Sequence, residues 1–350
     1  MNFSEKKRRK NGNIIIAVII AIILIIIFTF AYRAYLGLAG NSYSMCAVFL
    51  ARGGGGDRGF NDLITGGLRK VEKDMKVELN FNAYQSDDKN IKDASFFVKQ
   101  KYDLLIGVGF EYEELFATLS KKFKNTHFII IDSSVNSKNV ASLIFREHEG
   151  GFLAGAFAAL VSKGKPIGFL GGMMIPPVER FGDGFVEGAK YINPKIKVEI
   201  RYVGKDPSAF ANKDEAKKLA LQLYKDGTVI IFHAAGAAGL GVIEAAIAAK
   251  RYVIGVDSDQ SALAPNNVIT SVEKRLDVVI YEFLKRTIKE GFRGGKHNFG
   301  IKEGAIRLSP LDYSKFKFIT PEVENRLDKI QKEITEEKIG VLKSIKNLYD

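Results

Sequence analysis

The stretch VIIFHAAGAAGLGVIEAAIAAKRYVIGVDSDQ, residues 229–260, decides the fold class. It opens on an unbroken apolar run, Val229–His233, and passes through a glycine-rich turn. A helical pattern follows over Gly239–Lys250, and a second apolar run, Tyr252–Val256, leads into Asp257. Short continuous apolar runs joined by a helix read as parallel strands buried on both faces. The same alternation extends in both directions. Further apolar runs lie at Cys46–Ala51, Lys76–Phe81, Leu104–Gly107, His127–Asp132, Ala141–Phe145, Pro166–Leu170, Lys197–Tyr202 and Val268–Ser271. Helical patterns separate them at Asn61–Asp74, Asn90–Lys101, Glu113–Phe123, Gly151–Ser162, Phe181–Tyr191, Lys213–Lys225 and Leu276–Glu290. The expected class is α/β. About ten strands exceed one comfortable open sheet, so two doubly wound parallel-sheet lobes are expected.

No low-complexity linker separates the lobes, so hinge crossings should replace one. They are expected near Phe145–Glu147, Thr270–Ser271 and Lys302–Ala305. Lobe 1 is then 45–145 plus 271–304, and lobe 2 is 146–270 plus 305–350. Two similar halves with ligand chemistry between them form the type I periplasmic-binding-protein architecture. Hinge closure on a ligand is its motion. The tail from about Pro321 is charge-rich, with Val323, Leu327, Ile330, Ile334, Ile339 and Leu342 on one stripe, and reads as a terminal helix.

Composition excludes several classes. The 350 residues are 46% hydrophobic and 26% charged, a globular balance rather than a disordered one. A single cysteine, Cys46, rules out an intrachain disulfide and a cysteine-based zinc site. Four histidines show no metal-binding spacing, and no cofactor is expected. The net charge is +12, but its densest block, Lys6–Lys10, adjoins an apolar run rather than a stripe of aromatics. Nucleic acid is therefore not an expected partner.

That apolar run, IIIAVIIAIILIIIFTF from Ile14 to Phe30, has Thr29 as its one polar residue. Extended to Tyr32, it is long enough to cross a bilayer. Arg33 is the only charge between it and Arg52. The positive-inside rule makes 1–13 a basic cytoplasmic tail, 14–32 a single-pass transmembrane anchor and 33–44 a linker; a signal peptide cleaved within Leu38–Ser42 is the rival reading. The folded part then lies on the outer, periplasmic or extracellular, face of the cell membrane.

Four strand-end loops carry polar chemistry. RGGGGDRGFN, 52–61, follows the first strand; it lacks the Gly-Lys-Ser/Thr of a phosphate loop and the spacing of a dinucleotide fingerprint. Asp57 and Asn61 serve equally as helix caps or ligand groups. Phe60, an aromatic at a strand's carboxyl end, points to a binding crevice. The loop after Phe232 and His233 holds Gly236, Gly239 and Gly241. Asp132 and Asp257 each follow an apolar strand.

DRGFN, FREHEGGFLAGAFAAL, IGFLGGM, FGDGFVEGAK, IIFHAAGAAGLGVIEAA and IGVDSDQ, in that order, resemble the basic membrane protein (BMP) family. These are substrate-binding proteins of ABC importers, purine nucleoside receptors among them. The resemblance covers about Cys46 to Ile306. It implies a base stacked between two aromatics, one per lobe, with polar side chains on its edge. Carried over by residue, Phe60 and Phe232 are the stacking pair, and Asp57 and Asn61 the acid and amide of the first loop. Asp132 falls to the base edge, Asp257 and Lys274 to the ribose, and Gly236 lets its loop approach the sugar. An ABC permease and ATPase are the implied partners. The chain departs from the family in replacing the lipid-attachment motif with the apolar run. It also has four successive glycines and Arg58 in the first loop.

Stacking fits the bases of purine nucleosides, and carboxylates, which only accept hydrogen bonds, suit ribose hydroxyls and N–H edges. Paired acids disfavour phosphate. An enzyme built on Asp57, His233 and Asp257 is the weaker reading, because no nucleophile elbow or metal set accompanies them. A membrane-anchored sensor or regulator of the same fold, taking a sugar or an autoinducer, is the alternative.

Overall fold

The structure, a computed structural model, describes residues 21–25, 27–28, 45–50, 59–82 and 86–341. Residues 43–285 and 293–350 form one compact unit, which contains two six-stranded sheets. Residues 1–42 and 286–292 form the other.

The first sheet is built from β1 (Met45–Phe49), β2 (Glu78–Asn82), β3 (Leu104–Val108), β4 (His127–Ile131) and β5 (Val140–Phe145). Helices α1 (Phe60–Met75), α2 (Asp87–Lys99) and α3 (Glu113–Lys122) connect them. The chain then enters the second lobe through α4 (Glu147–Val161). There β6 (Ile167–Met173), α5 (Pro176–Ile192), β7 (Val198–Gly204), α6 (Lys213–Lys225), β8 (Ile230–Ala234), α7 (Gly239–Ala249), β9 (Tyr252–Asp257) and β10 (Val268–Lys274) follow. Helix α8 (Leu276–Glu290) and β11 (Gly295–Phe299) return to lobe 1; β12 (Ile306–Leu308) and α9 (Pro321–Thr335) close lobe 2. The strand orders are β11-β5-β4-β3-β1-β2 and β12-β10-β9-β8-β6-β7. Among the described strands only β12 runs antiparallel to its neighbour. This is the expected pair of doubly wound sheets.

The apolar runs make these strands because both faces are covered. Cys46 to Phe49, Leu104 to Val108 and Ile230 to Ala234 are buried throughout. Cys46 starts β1, and burial pushes its thiol up to about 12, which leaves it inert. The alternation did not reveal β11 and β12. GKHNF is polar and IRL is short, because edge strands bury less of themselves. Helices α4 and α5 begin earlier than their apolar patterns, at Glu147 and at Pro176, where proline suits the first turn.

Helices α4 and α5 interlock through glycine. A Cβ on Gly151 or Gly155 would collide with the carbonyls of Phe181 and Phe185, and one on Gly184 or Gly188 with those of His148 and Phe152. The GGFLAG and GDGFVEG spacings therefore fix one register between the two backbones.

Among the described residues three segments cross between lobes. The first, at Arg146, joins β5 to α4, and the third joins β11 to β12. The second falls later than the expected Thr270–Ser271, because β10 runs on to Lys274 as a strand of the lobe 2 sheet. Residues 271–274 thus belong to lobe 2. Backbone bonds tie the crossings together: Arg146 N–H donates to Phe299 O and Arg275 N–H to Ala305 O, both at 2.8 Å.

Of the expected anchor 14–32, the described residues are 21–25, 27 and 28, all helical, with the apolar side chains of Ile22–Ile25, Ile27 and Phe28 about half exposed or more. The rest lies outside the described residues. Among those described, no helix is long and apolar enough to cross a membrane.

Candidate ligand-binding cleft

Every loop that reaches the cleft leaves the carboxyl end of a strand, the rim at which open α/β sheets bind ligands. Phe60 and Asn61 open α1 after β1. A single helical turn after β3, Phe110–Tyr112, brings Phe110 and Glu111. Its counterpart after β8, Gly236–Ala238, brings mostly backbone. Asp132 follows β4, Asp257 ends β9 and Lys274 ends β10. From lobe 2 the start of α5 adds Ile175, Pro177, Val178 and Phe181, and the turn after β7, Pro207–Ala211, adds Phe210. These residues line one cavity.

The backbone at the two aspartates is left-handed. Asp132 has φ +63° and Asp257 φ +66°. Aspartate tolerates that region better than most residues, though at a cost. The two sit at equivalent places, after the fourth strand of each lobe's five-strand series. Gly109, at φ +97°, and Gly236, at φ +55°, are the other described wall residues with positive φ, which glycine adopts freely.

A buried charge chain underlies one wall. Lys274 Nζ donates to Asp132 Oδ1 at 2.7 Å, to Asp132 Oδ2 at 2.5 Å and to Glu147 Oε1 at 2.8 Å. Arg180 Nε donates to Glu147 Oε2 at 2.6 Å. Lys274 is 1% exposed, Glu147 0% and Arg180 4%, so water does not screen them. Burial alone would lower the lysine, but Asp132, Glu147 and Asp257 outweigh it and hold its pKa above the ordinary value. Burial would likewise raise Glu147, yet Arg180 and Lys274 hold it below. Burial pushes Asp132 up, and Lys274 opposes that rise. The ammonium also lies 5.4 Å from the Phe60 ring centroid and 4.7 Å from that of Phe145, within cation–π range.

The cleft thus assembles Phe60, Asn61, Asp132, Gly236, Asp257 and Lys274. Asp57 lies outside the described residues. Phe232 is corrected: it is fully buried and does not line the cavity. Strand β8 continues for two residues beyond it, so its ring stays inside lobe 2, 5.5–5.7 Å from the rings of Phe169, Phe181 and Phe185. His233 is buried too, its Nε2 3.0 Å from Gln260 Oε1 and its ring against Gly239. Burial lowers it to about 4, so it is neutral core.

Sequence reasoning missed Phe110, Glu111, Phe181 and Phe210. Phe210 had a signal: it is the one aromatic in KDPSAFANKDE, a polar loop. Gly172 faces its ring, where a Cβ would come within 2.5 Å. Phe60 and Phe210 are both only half-buried.

Comparison with known proteins matches residues 45–347 to a family model described as ABC transporter substrate-binding protein PnrA-like. The chain belongs to this family. The family description is that of substrate-binding proteins. Basic membrane protein A1 of Borrelia garinii subsp. bavariensis is 35% identical over 298 residues, 81% of this chain and 84% of that one. The ABC transporter nucleoside-binding protein BmpA of Lactococcus lactis subsp. cremoris is 30% identical over 84% of this chain and 88% of that one. Among solved structures, an ABC transporter solute-binding protein of Aeropyrum pernix K1 superposes with TM-score 0.76, at 25% identity, over 84% of this chain and 92% of its own.

Proposed function

We propose that this PnrA-like chain is the extracytoplasmic receptor of an ABC importer, held to the membrane by residues 14–32, and that it binds a purine nucleoside in the cleft. One observation carries the reading: half-buried Phe60 and Phe210, from opposite lobes, line a single cavity together with, among the described residues, three carboxylates and one ammonium. Two rings suit a flat base, with stacking worth about 1–3 kcal/mol per base. Phe210 takes the role that the resemblance gave to Phe232.

The rim supplies the rest. Glu111, Asp132 and Asp257 accept hydrogen bonds from ribose hydroxyls or base N–H groups, while Asn61 can both donate and accept. Among the described lining residues three acids face one lysine, which disfavours a phosphate, so a nucleoside is preferred to a nucleotide. The Lactococcus lactis relative, named as nucleoside-binding, supports the ligand class. Ligand contacts from both lobes favour the closed arrangement, and closure is what a permease reads.

Thermal shift of the detergent-solubilised chain, unfolded and refolded to strip carried-over ligand, tests the proposal. Adenosine, guanosine and inosine should raise the melting temperature; cytidine, uridine, ribose and free bases should raise it less or not at all. A ligand at 100 times its Kd adds about 2.7 kcal/mol, which is readily seen. A cooperative melt that no nucleoside moves would sink the nucleoside reading.

A further inference from the structure

The ammonium of Lys274 sits on the cavity wall, but two groups that control it do not. An ammonium has three N–H donors. Asp132 accepts twice and Glu147 once. Asp132 belongs to the cavity lining, whereas Glu147 lies behind it, at the first residue of α4. Its other oxygen accepts from Arg180. The mount is rigid. Gly151 and Gly184 bring α4 and α5 into backbone contact beside this pair, and the N-terminus of α4 favours a carboxylate.

We propose that Glu147, braced by Arg180, is a positioning residue: it fixes the Lys274 ammonium, and through it the Asp132 carboxylate, on the cavity wall and so sets the acceptor directions the ligand meets. For the identity of the ligand this rests on the nucleoside reading; the positioning itself does not. The groups facing Lys274 are Asp132 after β4, Glu147 on α4, Asp257 on β9 and the rings of Phe60 and Phe145, with Arg180 on α5 one step behind. Without Glu147, the ammonium keeps Asp132 alone as a direct acceptor among the described residues. It can then turn with that side chain.

The test uses the full chain in detergent with 15N-labelled lysine. The Lys274 ammonium resonance is identified by its loss in Lys274→Arg, and its proton exchange is measured. The double variant Glu147→Gln/Arg180→Met removes one charge of each sign. Exchange at Lys274 should quicken about tenfold or more, and affinity for adenosine, guanosine and inosine should fall about tenfold. A protein that is merely loosened would not single out this one resonance. Unchanged exchange, or quickened exchange with unchanged affinity, overturns the proposal. Should the double variant fail to fold, Arg180→Lys keeps the charge but not the brace. Quickened exchange there supports the proposal, and the wild-type rate overturns it. If the wild type binds none of the three nucleosides, the nucleoside reading falls and the exchange comparison alone decides the positioning.

Discussion

The two lobes solve one packing problem in opposite ways. By strand register Leu104–Val108 of β3 corresponds to Ile230–Ala234 of β8. Where β3 has Gly107, β8 has His233. In lobe 1 the small residue is on the strand, and Tyr112 and Phe116 lie over it; a Cβ there would come within 2.9 Å of both. In lobe 2 the large residue is on the strand, and Gly239 of the following helix makes room for it. The consequence reaches the cleft. Lobe 1's turn is anchored by Tyr112, whose hydroxyl donates to Leu50 O at 2.8 Å, and it carries Phe110 and Glu111 to the rim. Lobe 2's turn is bare backbone, and the space beside it is filled by Phe210 from another loop. Two copies of one frame thus divide the chemistry. Lobe 1 brings Asn61, Glu111 and Asp132; lobe 2 brings Phe210, Asp257 and Lys274.

The largest effect separates two phenylalanines of lobe 2. Phe232→Ala removes a fully buried ring, and a loss of about 3–5 kcal/mol of stability is expected. Phe210→Ala removes a half-buried ring on the cavity wall. It should weaken purine-nucleoside binding by about 1–3 kcal/mol, roughly tenfold to a hundredfold, with a small change in melting temperature. Calorimetric titration alongside thermal melts checks both. If instead the Phe232 variant folds normally and loses binding, the division between core and cleft aromatics is wrong.

Those two rings also mark how far the sequence could be read. The strand–helix order, the two sheets and six of the eight expected site residues' places at the cleft were legible, because apolar runs and strand ends are local signals. Phe232 misled because the run VIIFH ends in a histidine that looked like a boundary. The strand continues through His233 and Ala234, and Gly239 is what accommodates that imidazole. Phe210 was passed over because its loop, KDPSAFANKDE, has no apolar period. Only the fold brings Gly172 and Gly236 against it. Glu147 and Arg180 lie 33 residues apart, and nothing in either segment announces an ion pair. Glycine spacing sets it, through a register that only two packed helices have.

Acid should distinguish the lobes next. His148 and His233, both in lobe 2, are fully buried, and burial lowers each to about 4. In the unfolded chain both titrate near 6.5. Between those values the unfolded chain takes up protons that the folded chain refuses. Their contribution is therefore present above pH 6.5 and is lost as pH falls toward 4, about 3 kcal/mol for each. Denaturant melts across that range should show stability falling with pH. His233→Gln keeps a donor to Gln260 and cannot titrate, so the difference between it and wild type isolates one group. A slope equal to wild type would mean that His233 is protonated in the folded state.

The smallest effect compares paired glycines. In α1 of lobe 1, Gly66 has nothing within 4 Å of a Cβ, while Gly67 would meet the Asp277 carbonyl at 2.6 Å. In α4 of lobe 2 both members are closed off: Gly150 by Val272 and Ile306 side chains at 2.6 and 2.7 Å, Gly151 by the Phe181 carbonyl. Alanine has the higher helix propensity, by about 0.8–1 kcal/mol over glycine. Gly66→Ala should therefore stabilise by about that amount, since nothing opposes it. Gly150→Ala gains the same propensity but must displace two packed side chains next to Glu147, so its net effect should be destabilising. Opposite signs in denaturant melts would tie lobe 2's glycines to helix packing and leave Gly66 as a position where lobe 1 tolerates a side chain. Two gains of equal size would mean that Val272 and Ile306 yield, and that the tight α4 seat of lobe 2 does not depend on Gly150.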